Sequence, residues 1–210
     1  MTAYSYKKEY EREEPHDETK KPFVSIAEYL DRERSADTRS EYINGEIFAM
    51  AGTTLKHNEI VRNITGELYV KLKNTDCSAV SSDLRVFTPV CDAYFYPDLV
   101  AFCGKPQLNN DNPQALLNPM IIIEILSDST EARDRGHKFQ CYRSIPSLRE
   151  ILFVSQHEPL IEQYVRQTED LWMMRTIRGL ESELKFESSL ATLRLADIYG
   201  QIKFQAEGEK

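Results

Sequence analysis

Two carboxylates stand where a chain of this kind should carry none. Asp98 lies inside "YPDLVAF", residues 96–102, and Glu124 interrupts the isoleucines of "MIIIEILSDS". Both stretches read as strands, because aliphatic and aromatic residues fill them and turn residues bound them. Side chains alternate in face along a strand. Asp98 therefore shares a face with Val100 and Phe102, and Glu124 shares one with Ile122 and Leu126. If the two strands pair, the acids converge. Two like charges in an apolar sheet are tolerable only with compensation. A hard divalent cation such as Mg²⁺ or Mn²⁺ takes carboxylate oxygens and water, and it suits phosphoryl chemistry. Taken singly, each acid has a plainer explanation: Asp98 as a turn residue after Pro97, Glu124 as the partner of an arginine. A basic stretch follows Glu124 directly, with Arg133, Arg135, Lys138, Arg143 and Arg149. That clustering favours a site.

The elements that must position these acids are legible around them. Ser25 with Glu28 forms a capping box that opens a short helix. Asn44-Gly45 between "EYI" and "EIFAM" is a two-residue hairpin turn. Ile60, Ile64, Leu68 and Leu72 recur every four residues and predict an amphipathic helix over about residues 54–73. "SAVSSDLRVF" and "AYFYPDLVAF" read as two strands joined by a Thr-Pro turn, and residues 103–119 as a loop. "PMIIIEIL" reads as a strand buried on both faces. "STEARDRGHKFQCYRSI" is a second helix, stopped at Pro146. "REILFVS", "LIEQYVR" and "LWMMRTI" are further strands, with Trp172, Met173 and Met174 expected in the core. "LRLADIYG" closes the list as a short helix. This order predicts an α/β or α+β fold with a mixed sheet flanked by helices.

The whole chain sets the limits. Its 210 residues suit one domain over residues 22–210, after a charged tail at 1–21 expected to be disordered. Apolar residues make up 41% and charged residues 29%, a globular balance with no run long enough to span a membrane. The first residues lack the apolar stretch of a signal peptide, so a cytoplasmic location is expected. Cys77, Cys91, Cys103 and Cys141 show no metal-ligand spacing and are expected as reduced thiols. A net charge of −8 excludes a protein that coats nucleic acid with a wholly basic surface, but it leaves room for a local basic cleft.

"YPDLVAF" together with "NPMIIIEILSDSTEARDRGHKFQCYRSIPSLREILFV" resembles the Uma-two family of endonucleases, a former domain of unknown function within the PD-(D/E)XK nuclease superfamily. The resemblance runs from about Ser25 to Ile202, and "NGEIFAM" and "HNEI" match the family's front end. It implies a restriction-endonuclease-like fold, a Mg²⁺ or Mn²⁺ cofactor and a phosphodiester substrate, most plausibly DNA. A homodimer is left open. The implied metal ligands are Asp98, Glu124 and the Ile125 carbonyl. The superfamily motif wants a lysine where this chain has Leu126, and the family looks to have moved it to Lys138 on the next helix. By spacing alone, Asp134 and Lys138 are an ordinary i,i+4 surface pair. The resemblance further implies Glu46 as an acid oriented on the metal or its water, and His57 as a contact to substrate phosphate. Spacing alone leaves Asp83, in "SSDLRVF", on an exposed polar face. Two rivals remain: a catalytically degenerate binding module of the same fold, and a metal phosphohydrolase acting on a small nucleotide.

Overall fold

The computed structural model describes residues 22–50, 52–81, 83–188 and 191–204. The expected tail at residues 1–21 lies outside them. Helix α1 (Ile26–Ser35) opens on the capping box: the Glu28 N–H donates to Ser25 Oγ, and the Ser25 N–H donates back to Glu28. The hairpin β1 (Ser40–Ile43) and β2 (Glu46–Ala49) turns at Asn44 and Gly45, whose φ of 42° and 94° explain why these two residues stand there. Helix α2 (Leu55–Leu72) buries Ile60, Ile64, Leu68 and Leu72. Each such side chain contributes about 1.5–3 kcal/mol of apolar burial.

The next two expected strands each break in two. "SAVSSDLRVF" becomes β3 (Cys77–Ser81) and β4 (Arg85–Thr88), and "AYFYPDLVAF" becomes β5 (Ala93–Phe95) and β6 (Leu99–Cys103). The breaks have local causes. Asp83 holds a φ of 57°, which no strand accommodates. Pro97 has no N–H to give to a ladder. Each chain segment thereby passes from one sheet to another: β4 pairs β5, while β3 pairs β6. The expected loop at 103–119 contains a short strand, β7 (Ala115–Leu116).

Strand β8 (Ile121–Leu126) is buried along its full length, as its unbroken apolar run requires. The helix after it comes in three parts: α3 (Glu131–Arg133), a π-helical stretch Asp134–Lys138, and α4 (Phe139–Arg143). Then follow β9 (Glu150–Ser155), β10 (Leu160–Arg166), β11 (Trp172–Arg178), β12 (Glu183–Lys185), β13 (Thr192–Arg194) and α5 (Leu195–Ile198). One sheet has the order β2-β1-β5-β4-β7, a second β11-β10-β9-β8-β6-β3, and β12 pairs β13. The result is a mixed α+β fold in which β8 runs parallel to β9 and antiparallel to β6.

The alternation of β8 divides the core. Ile121, Ile123 and Ile125 pack with Ile60, Ile64 and Leu68 of α2. Ile122 and Leu126 face the other way, into a cluster with Phe95, Val100, Cys141, Tyr142 and Phe153. Glu124 shares that second face.

Two expectations change here. Trp172 is partly buried and its ring meets Phe139, but Met173 and Met174 are exposed, because β11 is the outermost strand of its sheet. The cysteines are not free thiols: Cys77 bonds to Cys103, and Cys91 to Cys141 with Cα atoms 5.6 Å apart. Strand pairing brings Cys77 opposite Cys103, a contact that sequence spacing does not reveal. Among the described residues, no helix is long and apolar enough to cross a membrane.

Candidate active site

The pairing of β6 with β8 places Leu99 opposite Ile123, so Asp98 stands at the position facing Glu124. The ladder ends there. Asp98 Oδ2 instead accepts the Ile125 N–H at 2.7 Å, and the Asp98 N–H lies 3.4 Å from Glu124 Oε2. On its other side, Asp98 Oδ1 lies 3.0 Å from His57 Nε2. His57 sits on the first turn of α2 and is buried.

Glu124 is 3% exposed and does not stand alone. Tyr142 donates its hydroxyl to Glu124 Oε1 at 2.7 Å, and Lys138 Nζ lies 2.8 Å from the same oxygen. Lys138 is itself buried. It also reaches Glu41 Oε1 at 2.9 Å and Asp134 Oδ1 at 3.2 Å. The i,i+4 pair with Asp134 therefore exists, but inside the protein rather than on its surface. Arg133 donates to Glu41 Oε2 at 2.7 Å. Asp134, Lys138 and Tyr142 all turn inward from the helix segment that holds the π-helical stretch. Such distortions recur at functional sites.

Burial pushes the Glu124 carboxyl up to about 8, reinforced by Asp134, Asp98 and Glu41 and opposed by Lys138. Burial alone would depress the Lys138 ammonium, but Glu124, Glu41 and Asp134 hold it well above its usual range. Burial, then Glu124, raises the Tyr142 phenol. Lys138 thus stays charged and Tyr142 stays a donor.

A cleft of about 280 Å³ opens over these groups. Its floor lies beyond the carboxyl ends of β8 and β9, and Thr53, Thr54, Tyr96, Ser127, Thr130 and Gln156 are among the residues around it. The donor set fits a hard cation. Asp98 and Glu124 offer carboxylate oxygens, and Ile125 lines the cleft at the end of the strand ladder. Five carboxyl groups, on Glu41, Asp98, Glu124, Asp128 and Asp134, line the cleft with Lys138 and Arg133, so acids outnumber these two cations there.

The structure therefore brings together Asp98, Glu124, Ile125, Lys138 and His57. It leaves Glu46 out: that residue is exposed on β2, opposite Ile43, and lies outside the cleft lining. Its expected place is taken by Glu41, five residues earlier and 1% exposed. A signal for Glu41 existed, since it shares strand parity with the buried Ile43. Asp83 is exposed and lies 3.3 Å from Arg39, away from the cleft. Gln156 was not foreseen as a cleft residue, whereas Arg133, from the basic stretch, does line the cleft.

A mixed sheet with helices around it, with one acid on a central strand and another just before its neighbour, beside a buried lysine, defines a protein of the nuclease fold. A crystal structure titled as a putative nuclease belonging to DUF820, from Anabaena variabilis, matches with a TM-score of 0.69 at 17% identity, over 86% of this chain and 99% of that one. A family model described as "Putative restriction endonuclease" matches residues 26–197, and the chain belongs to that family, Uma2. Two relatives from Synechocystis are each 32% identical to it. The uncharacterized protein sll1609 aligns over 78% of this chain and 92% of its own length; slr1290 aligns over 73% and 80%.

Proposed function

We propose that this protein is a metal-dependent endonuclease that hydrolyses phosphodiester bonds, with DNA as its substrate. The observation that carries the reading is the convergence of Asp98 and Glu124 across paired strands, with Lys138 Nζ 2.8 Å from Glu124. Family membership supports it. Asp98, Glu124 and the Ile125 carbonyl would hold Mg²⁺ or Mn²⁺, which when bound polarises a phosphate oxygen and lowers the pKa of water. The chain's own groups supply the rest. Tyr142 and Lys138 fix Glu124 by bonding one oxygen and leave the other toward Asp98. Lys138 brings a permanent positive charge to where phosphate charge builds. His57 steadies Asp98 and stands ready to contact the phosphate. Plasmid cleavage with Mg²⁺ or Mn²⁺, comparing the wild type with Asp98→Ala, tests the reading. Equal nicking by both proteins, or none by either, would sink it.

One observation favours a second substrate class. Both cations among the described cleft residues, Arg133 and Lys138, are already ion-paired with acids. A small nucleotide needs no basic track of the kind that duplex DNA uses. Comparing hydrolysis of nucleotides and of duplex DNA by the same preparation separates the two.

A further inference from the structure

Beside the acid cluster, the cleft is also lined by Gln156 and by the residues that open α2. Gln156 follows directly on β9, whose Ser155 stands beside Leu126 of β8. Its side chain is 5% exposed and lines the cleft. Gln156 Oε1 accepts the Thr54 hydroxyl at 2.9 Å. Thr54 in turn caps α2, its Oγ1 accepting the His57 N–H at 3.1 Å. Because that oxygen already accepts from His57, its own proton is free to go to Gln156. The amide carbonyl is thereby held toward Thr54, and the amide NH₂ is left without a partner among the described residues. The NH₂ is not shut away from solvent but opens to the cleft, where a ligand can reach it. The same helix end supplies further donors. Thr54 and His57 of that end line the cleft, and the first N–H groups of this 18-residue helix have no intrahelical acceptor. The positive end of the α2 dipole adds to them.

We propose that the Gln156 amide and the N-terminus of α2 form a phosphate subsite, which holds a non-bridging oxygen of the substrate beside the acid cluster. The chemistry selects that ligand. Reading a base edge with glutamine takes both its oxygen and its NH₂. Here the oxygen is turned to the Thr54 hydroxyl, so the group left for a ligand is the NH₂, a donor, and a phosphate oxygen is an acceptor. Gln156 is thus a substrate-binding residue. The subsite rests on the nuclease reading above and adds which side of the cleft the phosphate leans on.

The test uses the full chain, Gln156→Met and Gln156→Glu, with a defined duplex oligonucleotide in Mn²⁺ and Mn²⁺ affinity by calorimetry. Gln156→Met should lower kcat/KM about tenfold, the scale of one neutral hydrogen bond, with Mn²⁺ affinity unchanged. Gln156→Glu should lower it further, since it sets a carboxylate against phosphate. Single methylphosphonates near the cut then locate the contact. At one position the wild type should lose about tenfold while Gln156→Met loses no more, a non-additivity that a purely structural glutamine cannot give. If Gln156→Met cleaves like the wild type, or both lose equally at every position, the subsite is wrong although the nuclease reading stands. If the wild type cleaves no phosphodiester in any metal, both fall together. Should Gln156→Met not fold, Gln156→Glu alone decides, because undiminished cleavage by it overturns the subsite.

Discussion

Asp98 takes over the edge of β8 where strand β6 stops: its Oδ2 accepts the Ile125 N–H at 2.7 Å, two residues beyond the last ladder pair. One carboxylate oxygen thus satisfies a backbone donor that would otherwise face the cleft unpaired. The bond also fixes Asp98 relative to Glu124. A ligand held this way should be set in position before any cation arrives.

Metal affinity should therefore depend on both acids. Asp98→Ala and Glu124→Ala are each expected to abolish Mn²⁺ binding while the fold survives. Titration calorimetry of the single and double variants checks this, and unchanged binding in the double variant contradicts it.

Lys138→Met should cost far more than an exposed helix pair, whose loss is worth tenths of a kcal/mol. The lysine is buried among three carboxylates. Removing it strands their charge, at about 3–5 kcal/mol. Adding Glu41→Gln should recover part of that loss. Denaturant unfolding of the two variants measures both effects, and a loss within tenths for Lys138→Met would place the side chain in solvent.

Stability without metal should fall as pH rises from about 4.5 toward 8. Burial holds the Glu124 carboxyl up to about 8 in the folded chain, against 4.5 for a free side chain. Between these values the folded state holds more protons than the unfolded one, so raising the pH favours unfolding. Glu124→Gln should flatten that slope. Melting curves across this window with a chelator present provide the check. A Glu124-dependent slope of the opposite sign would mean the carboxyl is ionised throughout.

Leu68→Ala, in the middle of the α2 face, should destabilise by about 2–5 kcal/mol. It lies under the six-stranded sheet and away from the cleft lining. Mn²⁺ affinity of the folded fraction should not change, and a calorimetric loss of affinity would tie the helix core to the site.

Much of this arrangement could be read from residue order. The four-residue spacing of α2, the Asn44-Gly45 turn and the parity of Asp98 and Glu124 are local patterns with local physical causes. The rest depends on contacts far apart in the chain. Glu41 matters because Lys138 and Arg133 reach it, and Gln156 because Thr54 does, 102 residues away. No periodicity encodes such pairs. The two over-long strand readings failed for a different reason. Asp83 and Pro97 each interrupt an apolar stretch by one residue, and only the sheets show that the chain changes partners there. Met173 and Met174 look like core residues until β11 is seen to have a neighbour on one side only.

Placing the lysine on the helix has an evolutionary consequence. Leu126 is 4% exposed and packs with Tyr142, Phe153 and their neighbours. A mutation to lysine at that position would bury a second ammonium among apolar side chains, and losing Lys138 first would leave Glu124 and Asp134 without their cation while Glu41 kept Arg133. Each single step costs stability, so the two arrangements of acid and lysine are separated by a less stable intermediate. A chain with its lysine on the helix is held to that arrangement by its own packing.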